Sequence, residues 1–148
     1  VVLVVSSQPD AGALKRAVAE NITAVVVSPK DLGSPQDYDA RLRDLCVEYK
    51  ADLVCLAGFM LKLGPEMLKT FGDRILNVHP ALLPAFGGKG FYGMKVHEAV
   101  LAAGVRVSGA TVHLLNGEYD SGPIILQQTV SVFPDDTPAT LAARVSAA

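Results

Sequence analysis

Short, continuous apolar runs alternate along the chain with segments whose apolar positions recur at helical spacing. Residues 1–5 (VVLVV), 24–27 (AVVV), the stretch DLVCLAGF from Asp52 and residues 74–78 (RILNV) are runs of the first kind, typical of strands buried on both faces. Between them, residues 10–20 read as a helix with Leu14, Ala17 and Val18 on one side. Ser34-Pro35 supplies an N-cap and a first-turn proline for a helix reaching about Tyr49, with Leu42, Leu45 and Cys46 on its apolar face. Gly64-Pro65 opens a short helix that Gly72 closes, and another helix is expected over residues 94–103. VSGATVHLL and PIILQQTVSV read as strands joined by NGEYDSG, and Thr137-Pro138 starts a last helix that the chain does not complete. The alternation predicts an α/β fold with a mostly parallel open sheet flanked by helices. The last two strands lie too close in sequence for a crossover helix, so an antiparallel pair is expected near the C-terminus. With no repeat and no linker, residues 1–148 are expected to form a single domain, cut at both ends because it begins inside a strand and stops inside a helix.

Composition narrows the classes of function. Half of the 148 residues are hydrophobic and 19% are charged, which suits a globular core and excludes a disordered chain. The net charge is -2 and the basic residues are scattered, so no nucleic-acid partner is expected. No apolar run is long enough to span a bilayer, and Val1 opens without a signal-like segment. Cys46 and Cys55 follow no disulfide or zinc spacing and are expected to be reduced, buried thiols in a cytoplasmic protein. Three histidines without a clustered ligand pattern predict no metal site.

Candidate chemistry concentrates in RILNVHPALLP. Ligands of open α/β sheets collect beyond the carboxyl ends of strands, and residues two apart in a strand face one side. Asn77 and His79 therefore address one point, and Pro80 ends the strand behind them. Taken singly, Asn77 reads equally well as a strand-end cap and His79 as a half-buried imidazole bonded to a loop carbonyl. The long Pro/Gly-rich segment that follows favours function. Asp120, in EYDSGP, reads as turn chemistry unless other groups converge on it. His113 reads first as a strand histidine bonded to backbone. His97 is expected to face solvent or to pack, and Asp135-Asp136 to suit a helix start. An Asn, a His and an Asp brought together form a set without a nucleophile. Such a set suits direct acyl transfer, with donors to an oxyanion and a group to move a proton.

LAGFM, RILNVHPALLPAFGGKGFYGMKVHEAVLAAG, VSGATVHLL and EYDSGPIILQ together resemble the folate-dependent formyltransferases, and within them the phosphoribosylglycinamide formyltransferase family of purine synthesis. The similarity covers essentially the whole chain. It implies a Rossmann-like formyltransferase fold, 10-formyltetrahydrofolate as formyl donor, glycinamide ribonucleotide as acceptor and no metal. It implies Asn77, His79 and Asp120 as the catalytic residues. Met60, Leu61, Lys62 and Leu63 are implied folate contacts, and Asn116, Gly117, Glu118 and Tyr119 the loop that holds the pterin. Gly58 is implied beside the glycinamide, and His113 near the reaction centre. A homodimer is left open. Some features depart from the family. Its members begin one strand earlier, with a Gly-rich loop for the substrate phosphate, and continue the last helix with acidic residues that touch the acceptor. Leu61 and Pro35 stand where many relatives carry Arg. These departures keep open a folate-binding fragment without transfer activity, and a hydrolase of the same donor remains a further alternative.

Overall fold

The computed structural model describes residues 1–148. Its elements are β1 (Leu3–Ser6), α1 (Gly12–Ala19), β2 (Thr23–Val26), α2 (Pro35–Glu48), β3 (Val54–Ala57), α3 (Pro65–Phe71), β4 (Ile75–His79), α4 (Met94–Ala102), β5 (Val107–Leu114), β6 (Ile124–Ser131) and α5 (Pro138–Ser146). The α/β alternation is as expected. β1 and β2 form a parallel pair, and the other strands a sheet in the order β3-β4-β5-β6. β5 and β6 are antiparallel, as their short connection requires. β4 and β5 are antiparallel too. Their connection includes the irregular residues 80–93 as well as α4, so the rule for plain strand–helix–strand units does not govern it.

By contacts the chain divides into two compact units, residues 1–54 with 63–72 and residues 55–62 with 73–148. In the first, α1 packs on β1 and β2, and α2 packs on α3. β1 is only half-buried, because a two-stranded sheet with one short helix against it covers its strands incompletely. α2 starts as the sequence suggests: Ser34 Oγ accepts the Asp37 N–H at 3.1 Å and Pro35 fills the first turn. α3 starts at Gly64, which has no side chain to cap it. Asp39 of α2 does so instead, accepting the N–H groups of Gly64 and Glu66 at 2.7 Å each and of Met67 at 3.3 Å. A carboxylate at a helix N-terminus meets both the unpaired donors and the positive end of the dipole, so the interhelical cap locks α3 to α2.

In the second unit α4 packs against α5, and α5 lies on β5 and β6. Val100, Val132, Leu141 and Val145 form its apolar centre, with Phe86, Leu101, Val105, Ala110 and Val130 packed around it. α5 opens with a reciprocal cap in which the Thr137 and Thr140 side chains each accept the other's backbone N–H. Asp136 joins this start to the end of the helix through two 2.7 Å bonds from Arg144. Those bonds, then the Phe133 N–H and the Thr140 hydroxyl, hold the Asp136 carboxyl well below the usual carboxylate range. A folded-state pKa depressed in this way contributes stability that is fully present above the unfolded pKa and is lost as pH falls toward the folded one. Asp136→Asn is therefore expected to lower the thermal midpoint at neutral pH. The gap from the parent should narrow below about pH 4, where an unfolded carboxylate begins to take up its proton. Thermal unfolding across that range checks both points. No helix is long and apolar enough to cross a membrane.

Candidate active site

β4 and β5 set the site through their register. Asn77 lies opposite His113, and His79 opposite Thr111. Cross-strand partners share a face, so the four side chains form a two-by-two array. The fifth member comes from the turn between β5 and β6. Gly122 sits so tightly against the Leu114 carbonyl that a Cβ there would collide with it. Asn116 Oδ1 gathers the turn from within, accepting the Glu118 N–H at 3.1 Å and the Ser121 hydroxyl at 3.2 Å. Asp120 then takes a left-handed conformation, φ 50°, which Asp adopts more readily than most residues.

This conformation aims the carboxylate into the array. Asp120 Oδ2 accepts the Gly88 N–H at 2.9 Å and lies 3.5 Å from His79 Nδ1. Oδ1 lies 3.5 Å from Asn77 Nδ2 and 3.6 Å from His113 Nε2. One firm backbone bond anchors the carboxylate, while three side chains surround it at distances with slack.

The two histidines are fixed differently. His113 Nδ1 donates to the Leu114 carbonyl at 3.0 Å, so its Nε2 is left to accept. Asn77 Nδ2 stands 3.1 Å from that Nε2, and this sets the amide with its NH₂ toward the site. His79 Nε2 donates to the Phe86 carbonyl at 2.7 Å, while Nδ1 faces Asp120. Both ring nitrogens thus face acceptors. The plain strand roles envisaged for both histidines are present, since each bonds a carbonyl, yet each also meets the array. Both are nearly fully buried.

Tyr119, Asp120, Leu83, Pro84, Gly88 and Ile124 line a cleft of about 380 Å³ beside the array. Lys62 Nζ lies 5.6 Å from the centre of the Tyr119 ring. Met60 and Leu61 are exposed just before it, and Gly58 follows β3 with φ 66°. Gly117 takes φ 89° within the turn and Glu118 is exposed. Leu63 is buried and belongs to the first compact unit. His97 on α4 is buried, which corrects the solvent-facing option; its Nδ1 has no partner. Burial first, and the neighbouring His79 second, keep its imidazole below the ordinary histidine range.

Two backbone groups of the array escaped sequence reasoning, the Phe86 carbonyl and the Gly88 N–H. The Gly-rich run marks a loop, but nothing in it signals that Phe86 adopts φ 56° and turns its carbonyl toward His79. Gly122→Ala offers a test of the turn. The methyl group would displace the carbonyl that fixes His113, and overpacking of this kind costs about 1–3 kcal/mol. Chemical denaturation should show a loss of that size.

An amide, two imidazoles and a carboxylate thus meet at one place in an α/β fold, a set of groups chemically able to donate to an oxyanion and to relay a proton. The chain belongs to the formyl transferase family, whose pattern matches residues 1–148. It is 48% identical over 147 residues to the chloroplastic phosphoribosylglycinamide formyltransferase of Arabidopsis thaliana, covering 98% of this chain and 50% of that protein. Glycinamide ribonucleotide transformylase 1 from Symbiobacterium toebii superposes with a TM-score of 0.93 at 41% identity, over 99% of this chain and 67% of the other. The phosphoribosylglycinamide formyltransferase of Bacillus halodurans gives 0.90 at 35%, over 99% and 73%. The chain spans about half the length of the plant relatives it matches.

Proposed function

We propose that this protein transfers the formyl group of 10-formyltetrahydrofolate to the amine of glycinamide ribonucleotide. The observation that carries the reading is the convergence of Asn77, His79 and His113 on the Asp120 carboxylate. The family membership and the names of the relatives point to the same reaction. Residues 1–148 are read as one formyltransferase catalytic domain acting on small molecules in the cytoplasm.

The chemistry follows from donors and acceptors. The acceptor amine attacks the formyl carbon, and the carbonyl oxygen gains negative charge. The Asn77 N–H that meets Asp120 at 3.5 Å is loosely held, and so is the His79 Nδ1 side of the ring. The slack leaves both free to turn to a substrate oxygen, since catalytic hydrogen bonds often tighten only when substrate is bound. Collapse of the tetrahedral intermediate breaks the bond from the formyl carbon to the folate nitrogen. The proton released by the amine passes to that nitrogen, with His79 and Asp120 as the relay. No covalent intermediate on the protein is needed. The cleft beside Tyr119, with the exposed 60–62 segment, is the proposed place of the folate, and Asn116, Gly117 and Glu118, in the turn that carries Tyr119, are the proposed hold on its pterin. Gly58 completes the proposed substrate contacts.

Labelled formyl donor tests the reading. Label should appear in formylated glycinamide ribonucleotide, and only when that acceptor is supplied. Formate released without acceptor would identify a hydrolase instead, and donor binding without product would identify a binding protein.

A further inference from the structure

One row of the array continues across the sheet to a third strand. Thr111 of β5 is opposite His79 of β4 on one side and opposite Gln127 of β6 on the other. The Thr111 hydroxyl is completely buried and uses its full hydrogen-bonding capacity. It donates to the Ala81 carbonyl at 2.6 Å and accepts the Leu83 N–H and Gln127 Nε2, each at 3.0 Å. Gln127 Nε2 also donates to the Leu83 carbonyl at 2.9 Å. Apart from the bond between Gln127 and Thr111, each of these ends on the segment that leaves β4 just after His79. Two residues beyond Leu83, the Ala85 N–H closes a turn on the Leu82 carbonyl at 3.1 Å. Phe86 follows, its side chain packed on the Val100–Leu141 cluster and its carbonyl on His79 Nε2.

We propose that Thr111 and Gln127 are positioning residues for His79, acting as a latch. By holding the Ala81–Leu83 backbone against β5 and β6, they place the Phe86 carbonyl where it fixes the imidazole and leaves Nδ1 facing Asp120. Phe86 has a left-handed backbone, a conformation that persists only when its surroundings impose it. The apolar cluster holds its ring, and the latch holds the chain that leads to it. Without the hydroxyl, the Ala81 carbonyl and the Leu83 N–H lose a partner in a dry interior, and the segment shifts to recover one. The inference rests on the proposed role of His79 in formyl transfer.

Thr111→Val keeps the shape and removes the hydroxyl; Thr111→Ser keeps the hydroxyl. The valine variant should lose roughly 10- to 100-fold in kcat with KM for both substrates little changed, as expected when a reacting group is misplaced by a fraction of an ångström. The serine variant should recover to within about threefold of the parent. Long-range ¹H–¹⁵N spectra of His79 provide a readout independent of turnover. The Nε2 proton should be protected in the parent and in the serine variant, and lose protection in the valine variant. Gln127→Met, on an exposed strand, covers the case in which Thr111→Val does not fold, and should show the same His79 change with a smaller loss of kcat. Lowered stability with unchanged kcat and unchanged His79 signals would overturn the proposal. If the parent transfers no formyl group, the functional reading fails, while the imidazole signals still decide whether the latch acts on His79.

Discussion

Asp120→Asn is expected to slow formyl transfer roughly 100- to 1000-fold, with little change in folding. The substitution is nearly isosteric, and asparagine tolerates the left-handed backbone of this position as well as aspartate does. The side-chain oxygen can still accept the Gly88 N–H, the one firm bond that Asp120 makes. What disappears is the negative charge that His79 Nδ1 faces at 3.5 Å. Without it, an imidazolium formed during transfer has no anionic partner, and the amide NH₂ takes the Oδ1 place, where Asn77 Nδ2 needs an acceptor. Steady-state kcat at saturating substrates should carry the loss, and thermal unfolding should stay near that of the parent.

The second large effect is expected at Asn77. Asn77→Ala removes the amide donor, and the loss of one donor to a developing oxyanion typically costs roughly 100- to 1000-fold in turnover. The orientation of that amide has a traceable origin. The Leu114 carbonyl accepts the His113 Nδ1–H, so His113 Nε2 is left to accept, and the Asn77 NH₂ turns toward it. His113→Phe leaves the donor in place but unoriented, and a smaller loss of about 10-fold is expected. Comparing kcat of the two variants separates the donor from the group that aims it.

The features legible in sequence are those set by local chemistry. Ser34-Pro35 and Thr137-Pro138 announce helix starts because a cap and a first-turn proline act within four residues. Asn77 and His79 share a face because strands alternate, and the short NGEYDSG connection requires β5 and β6 to be antiparallel. Features that depend on distant partners were not legible. Asp39 caps a helix that begins 25 residues later, through a contact that no periodicity encodes. The antiparallel β4–β5 pair depends on the path of residues 80–93. Thr111 is set apart only by its partners in the loop, and Phe86 enters the site through its backbone, which leaves no mark on residue type.

The most direct measurement is formyl transfer from 10-formyltetrahydrofolate to glycinamide ribonucleotide, followed side by side in the parent, Asn77→Ala, His79→Ala and Asp120→Asn proteins. Transfer by the parent and a loss of at least roughly 100-fold in each variant, with all four proteins folded, is the predicted result. Turnover within about threefold of the parent in all three variants would contradict it.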